Sequence, residues 1–202
     1  MIAHRGSRTE GLPENTIAAF KHAVDSGAEI VELDVWLSAD GKVVVHHDDT
    51  FKRMTCGQNL KKIVEVEYQN IPSIVPFVGQ KEALTAEHKH NDWQRIPLFE
   101  DVLDAVPETV DIIIEFKQNS DELIEKVHNM LLERNRRETV YWFSLIESIN
   151  KKLRVKDNSI PTITSVVGML KILMLYYSGL LPICSLDDAV FGITVDEVRC
   201  FS

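Results

Sequence analysis

Apolar positions along this chain keep two rhythms in turn, a spacing of two that suits strands and a spacing of three to four that suits helices. Met1-Ile2-Ala3 is the stub of an apolar strand running into His4-Arg5-Gly6, and Arg5 to Leu12, with its two glycines, reads as a loop. Pro13-Glu14-Asn15-Thr16 opens a helix in which Ile17, Phe20, Ala23 and Val24 share a face, and Gly27 ends it. Glu29 to Trp36 is the next strand. Asp40-Gly41 marks a tight turn, after which Val43-Val44-Val45 forms a third strand that delivers His46-His47-Asp48 at its end. Between about 50 and 95 no period holds, and His88 and His90 stand among scattered charges and prolines. That stretch reads as an excursion with short helices. Order returns with an amphipathic helix over 98–106, a fourth strand over 111–117, a helix over 123–132, a fifth strand over 139–143, a helix over 145–153 and a weak sixth strand over 161–164.

Strands that alternate with helices predict an α/β protein built on a parallel sheet. In each clear case the polar residues lie where a strand finishes, which is the arrangement of a (β/α)8 TIM barrel. A doubly wound open sheet is the competitor. It would place a glycine-rich phosphate loop after the first strand, and Gly6-Ser7-Arg8-Thr9-Glu10-Gly11 lacks that spacing.

The second strand carries the first chemical oddity. In Val31-Glu32-Leu33-Asp34-Val35-Trp36 the two carboxylates fall on one face, and Leu33 and Val35 fall on the other. Two acids beside buried positions repel each other and lose hydration, a situation that a divalent cation relieves. A half-exposed strand with a wet acidic face is the plainer account. The neighbouring strand ends weigh against it, because they supply His4 and Arg5, His47 and Asp48, and Glu115 and Lys117. Three oxygen donors without a cysteine suit Mg2+ or Ca2+ better than zinc. Two histidines can divide general acid and general base work, and Arg5 and Lys117 can hold a phosphate. Together these residues describe metal-assisted cleavage of a phosphodiester. Each also has a duller role: His4 as a chain-start cap, His47 as a surface neighbour of His46, Lys117 as a partner of Glu115 on a solvated strand.

Composition narrows the partners. The 202 residues suffice for one domain with a substantial core, and 31 acids against 22 lysines and arginines give a net charge of -9. With no basic stripe to neutralise phosphates in a row, nucleic acid is not an expected partner. The three cysteines are scattered, which suggests neither a disulfide framework nor a zinc site and fits a reducing, cytoplasmic setting. No secretory leader is expected ahead of His4-Arg5-Gly6.

Five motifs taken in order, His4-Arg5-Gly6, Glu14-Asn15-Thr16 with Ala19-Phe20, Glu32-Leu33-Asp34, Val45-His46-His47-Asp48 and Glu115-Phe116-Lys117, resemble the glycerophosphodiester phosphodiesterase family. The resemblance spans about residues 2–183. Phe51-Lys52-Arg53 and the apolar 176–182 segment are most similar to its lysophospholipase D-like members. It implies a barrel and hydrolysis of a glycerophosphodiester or lysophospholipid to a phosphomonoester, glycerol 3-phosphate or lysophosphatidic acid, and an alcohol. Carried over, Glu32, Asp34 and Glu115 bind the metal, His4 and His47 are the acid–base pair, and Arg5 and Lys117 hold the phosphate. His47 also fits as a metal ligand, a role that excludes proton transfer through the same nitrogen. Asn15 either reaches the site as a substrate-binding group or caps the helix start. Asp48 orients its neighbours. The resemblance further implies endoplasmic-reticulum membrane association.

A complete barrel has eight strands, and six are expected here, so the reading is of a barrel truncated after about six strands, with 1–183 as its incomplete domain and 184–202 as a divergent tail. Phe191 to Asp196 faintly echoes a last barrel strand. An open barrel leaves edges and interior side chains uncovered, which predicts a marginally folded, weakly active or inactive chain. The alternative function is a non-catalytic remnant that binds ligand or partner without turnover, and a third is a barrel phospholipase C that forms a cyclic phosphate. Residues 166–181 are strongly apolar but interrupted by Lys171 and too short to span a bilayer. They predict either a barrel helix packed on the sheet or a shallow membrane contact beside the site.

Overall fold

A computed structural model describes residues 1–6, 12–75 and 93–181. Five strands form one sheet: β1 (Ile2–His4), β2 (Ile30–Leu37), β3 (Val43–Val45), β4 (Asp111–Phe116) and β5 (Val140–Phe143). β1, β2, β4 and β5 are neighbours in that order and all parallel. A further parallel bridge joins Trp142 to Thr162, which is all that the weak sixth strand contributes. Described in this way, the sheet is part of a (β/α)8 barrel.

The third strand departs from the expected all-parallel rim. β3 runs antiparallel to β2, with Val45 opposite Val35 and Val43 opposite Leu37. Residues 38–42 are too few for a crossover, and Asp40-Gly41 closes them into a hairpin, Gly41 taking φ +72°. β3 therefore folds back over the end of β2 and returns His46 to the height of Asp34, whose carbonyl accepts the His46 amide at 3.0 Å. His47 and Asp48 reach the mouth by reversal, and the rim has one strand fewer than expected.

Helices α1 (Ile17–Asp25), α2 (Phe99–Ala105), α3 (Asp121–Glu133) and α4 (Glu147–Lys156) cover the sheet. Each turns a short apolar stripe inward: Ala19, Phe20 and Ala23 from α1, Phe99, Val102 and Leu103 from α2, Leu123, Ile124, Val127 and Leu131 from α3, and Ile149 and Leu153 from α4. All but Ala19 meet Val31, Leu33, Val35, Ile112, Ile114 and Trp142 in one core, and Ala19 packs with Leu12 and Trp93. Burial at roughly 1.5–3 kcal/mol per large aliphatic side chain makes this layer the main source of stability. Thr16 and Ser120 cap α1 and α3, each hydroxyl accepting a backbone N–H at 3.2 Å. Helix α5 (Val166–Tyr177), capped by Ser165, buries no residue, contrary to a helix packed on the sheet.

The aperiodic excursion has its own small core. Phe51, Met54, Ile63, Val66, Ile74 and Ile96 close over Val44, with single helical turns at Ile63–Glu65 and Tyr68–Asn70. His88, His90, Cys184, Cys200, the 184–202 tail and the faint strand at 191–196 lie outside the described residues.

Candidate active site

Period-two geometry does what the sequence required of it on β2. Leu33 and Val35 enter the helix-side core, while Glu32 and Asp34 point to the other face, where parallel pairing sets Asp34 opposite Glu115. Donor oxygens of Glu32, Asp34 and Glu115 all lie within 4.8 Å of one another, and all three residues are buried. Burial raises the Glu32 pKa well above its ordinary value, and Asp34 raises it further; burial also lifts Glu115, against the pull of Lys117. Glu32 Oε1 is buried without a hydrogen-bond partner among the described residues, and Asp34 Oδ1 has an ion-pair contact with Lys117 in place of one. Crowded carboxylates, one with an orphaned oxygen, fit a hard divalent cation. Among the described residues this cluster holds carboxylates alone and no histidine nitrogen.

Two cations are already engaged with the acids. Lys117 Nζ lies 2.7 Å from Glu115 Oε2 and 3.1 Å from Asp34 Oδ1. The predicted Lys117–Glu115 pair is thus real but enclosed, and it reaches across to the neighbouring strand. Arg5 donates its backbone N–H to Glu32 Oε2 at 3.0 Å, and its Nε lies 3.5 Å from Asp34 Oδ2. His4, one residue earlier, places Nε2 3.6 Å from Glu32 Oε2. Two cations against three carboxylates leave a negative balance that a further cation can meet.

The loop after β1 is bent to reach this cluster. Arg5 and Asn15 both take φ +56°, and the Asn15 N–H donates to the Arg5 carbonyl at 2.8 Å. Left-handed backbone at a residue other than glycine costs roughly 1–2 kcal/mol, and the contacts on either side hold it. Gly6 at φ +78° passes so close to α1 that a Cβ there would sit 2.9 Å from Ala19 backbone carbon. Asn15 does not cap α1, since Thr16 does that; instead its Nδ2 donates to Asp34 Oδ2 at 2.8 Å. Of the two roles open to Asn15, the structure places it at the acid cluster.

The adjacent histidines part company. His46 is buried against Phe51 with Nε2 3.2 Å from the Thr50 carbonyl, and burial lowers its pKa. It fills the core. His47 lines a cleft of about 640 Å3 with Asp48, Lys52, Arg53, Cys56 and Lys117. Its Nδ1 lies 2.7 Å from Asp48 Oδ1. Burial works to raise the Asp48 pKa, but hydrogen bonds from His47 and Arg53 outweigh it and hold the carboxyl well below its usual range.

Two site residues fall in motifs of the sequence but have no site role assigned by it. Glu14, placed within a helix by pattern, sits before the Thr16 cap and accepts from Arg5 Nη1 at 3.1 Å and from Arg53 Nη2 at 2.6 Å. Arg53 also donates Nε to Asp48 Oδ2 at 2.7 Å. Arg53 falls in the aperiodic stretch, where the Phe51-Lys52-Arg53 resemblance marks the segment but gives the arginine no role.

A partial barrel whose mouth joins a buried carboxylate triad to two cations and two histidines defines a class: a barrel site whose carboxylates could hold a metal ion. Comparison supplies the family. The glycerophosphoryl diester phosphodiesterase family model matches residues 4–167, so the chain belongs to that family. It is 36% identical to human lysophospholipase D GDPD1 over 202 residues, covering 98% of this chain and 61% of that protein. It is 33% identical to a glycerophosphodiester phosphodiesterase of Caldanaerobacter subterraneus subsp. tengcongensis, covering 89% of this chain and 68% of that one. The fold matches an Oleispira antarctica phosphodiesterase solved with the product sn-glycerol-3-phosphate, with a TM-score of 0.69 at 22% identity, covering 87% of this chain and 70% of that one. The chain spans about three fifths of the length of the lysophospholipase D GDPD1 relatives it matches.

Proposed function

We propose that this chain supplies the catalytic face of a phosphodiesterase that hydrolyses glycerophosphodiesters or lysophospholipids to a phosphomonoester and an alcohol. The observation that carries the reading is the buried Glu32–Asp34–Glu115 cluster, with its orphaned Glu32 oxygen, beside Lys117 and Arg5. A divalent cation held by the three carboxylates, Mg2+ or Ca2+, would supply charge neutralisation at the phosphate. Lys117 and Arg5 hold the phosphate oxygens and offset the charge that develops on them. His4 and His47 share the proton transfers: one takes a proton from the water whose oxygen bonds to phosphorus, and the other protonates the alcohol oxygen as its bond to phosphorus breaks. Asn15 holds Asp34 in place.

Turnover of glycerophosphocholine and lysophosphatidylcholine with Mg2+, Ca2+ or chelator, alongside His4→Ala, tests this. Metal-dependent release of a phosphomonoester that His4→Ala abolishes is the expected result. Release of a cyclic phosphate without the free phosphomonoester would overturn it in favour of phospholipase C chemistry.

The alternative is a protein that binds ligand or partner without turnover. A protein that binds the cation and glycerol 3-phosphate with no turnover of either substrate would establish that reading. Helix α5 adds a membrane element to the proposal: Val167, Leu170, Met174 and Tyr177 are all exposed, which suits shallow contact with a lipid surface that carries the substrate.

A further inference from the structure

A line of charged groups crosses the mouth of the site from one loop to another. His47 Nδ1 lies 2.7 Å from Asp48 Oδ1, and Asp48 Oδ2 accepts from Arg53 Nε at 2.7 Å. Arg53 Nη2 donates to Glu14 Oε1 at 2.6 Å, and that same oxygen accepts from Arg5 Nη1 at 3.1 Å. The segment after β3 and the loop after β1 are thereby tied together through one guanidinium. Its planar fork suits the task, since it can grip two carboxylates at once with fixed geometry.

We propose that Arg53 is a positioning residue, which grips Asp48 and Glu14 together and so fixes the tautomer of His47 and the bearing of Arg5. The proposal rests on the reading of His47 as a proton-transfer group. Arg53 is permanently charged and keeps Asp48 an ionised, acceptor-only carboxylate. The 2.7 Å contact then requires the proton of a neutral His47 to sit on Nδ1, which leaves the lone pair on Nε2. Both Asp48 oxygens are engaged in this arrangement, so the carboxylate cannot swing away from the imidazole. Without Arg53, one oxygen is released into the cleft, Asp48 rotates, and His47 can adopt either tautomer. On the other side, Glu14 loses a cationic partner, and Arg5 loses the brace that aligns it with Asp34. Arg53 lines the cleft, but its Nε and Nη2 are committed to the two carboxylates. It acts through His47 and Arg5.

The tautomer can be read directly. Long-range 1H–15N spectra of uniformly labelled protein, recorded well above the ordinary imidazole pKa and assigned with His47→Gln, are expected to show the Nδ1–H pattern at His47. In Arg53→Gln that pattern becomes a mixture with the Nε2–H form, while the remaining histidines keep their shifts. Arg53→Lys, which keeps the charge but can span only one carboxylate, gives a smaller mixture; it is read in place of Arg53→Gln if that variant does not fold. An Nε2–H pattern in the starting protein, or a pattern unchanged by both substitutions, overturns the proposal. Turnover supplies an independent arm. Arg53→Gln lowers kcat by about 10- to 100-fold, and in a His47→Ala background it costs only the smaller part that runs through Arg5. A rise in KM alone, or a loss that adds in full to that of His47→Ala, overturns it. Full activity in His47→Ala instead strikes the functional reading of His47, and leaves the tautomer result standing.

Discussion

β2 and β4 pair over six registered residues, from Ile30 opposite Asp111 to Val35 opposite Phe116, and nine of these twelve residues are buried. Helix α5 is at least as apolar and buries none of its twelve residues. Both stretches satisfy the local rules for their element, since α5 has a Ser165 cap whose hydroxyl accepts from the Gly168 N–H at 3.0 Å. What separates them is the company each keeps. β2 and β4 are sandwiched between helices on one side and the acid cluster on the other, so their position is set many times over. α5 touches mainly α4. The site sits on the over-determined pair, which holds three mutually repelling carboxylates in register. The same charges on an element as loosely held as α5 would move apart.

The severest test of that contrast removes an acid from the rigid pair. Asp34→Ala takes away an oxygen donor, the partner of Asn15 and one contact of Lys117 at once. Metal-dependent turnover is expected to fall by about 100-fold or more, together with the divalent cation's effect on thermal unfolding. Substantial metal-dependent turnover in Asp34→Ala would remove the acid cluster from the chemistry. Stability should divide along the same line. Ile114→Ala opens a hole in the helix-side core and is expected to cost about 2–5 kcal/mol in urea unfolding at constant m. Leu173→Ala on α5 should stay within about 0.5 kcal/mol. Equal costs would mean that α5 is held as firmly as the sheet.

A smaller effect follows from the raised pKa of Glu32, lifted by burial and then by Asp34. The folded protein holds this proton at pH values where the unfolded chain has released it. Folded molecules therefore bind more protons, and stability falls as pH rises above the ordinary glutamate value of 4.5. Unfolding curves without metal should show that decline, and Glu32→Gln should flatten it. Divalent cation at about 100 times its dissociation constant adds about 2.7 kcal/mol and offsets the decline at neutral pH. A metal-free protein that gains stability across the same range would contradict the assignment of Glu32 as a buried, strained acid.

The parts of the fold that were legible in the sequence are those where a local rule and the tertiary context agree. Period two placed Glu32 and Asp34 on one face, and parallel pairing brought Glu115 to them at the register of Asp34. His4, Arg5 and Lys117 followed because strand ends gather at a barrel mouth. The alternation of elements implies a parallel β3, but its five-residue link, 38–42, allows only a hairpin. Glu14 and Asn15 looked helical until Thr16 took the cap, which freed both side chains to turn toward the site. Arg53 had no periodicity to mark it. Its partners, five and 39 positions away, come together only through the hairpin and the left-handed bends at Arg5 and Asn15. Pattern reports which face a residue occupies. It does not report which loops meet.

The weakest effect expected is on α5 itself, and it separates two ways an exposed apolar helix can be used. Leu173→Glu with Met174→Glu places charge on positions that are 41% and 74% exposed, so unfolding should change by no more than about 0.5 kcal/mol. If α5 lies in a lipid surface, the unsubstituted protein floats with phosphatidylcholine vesicles loaded with lysophosphatidylcholine, and the double variant does not. Turnover of water-soluble glycerophosphocholine should be the same in both proteins, while turnover of vesicle-borne lysophosphatidylcholine drops in the variant alone. If neither protein floats, the lipid contact fails and the exposure of α5 says nothing about where substrate comes from. If the variant instead unfolds, α5 is held by packing after all, and the contrast with β2 and β4 is one of degree.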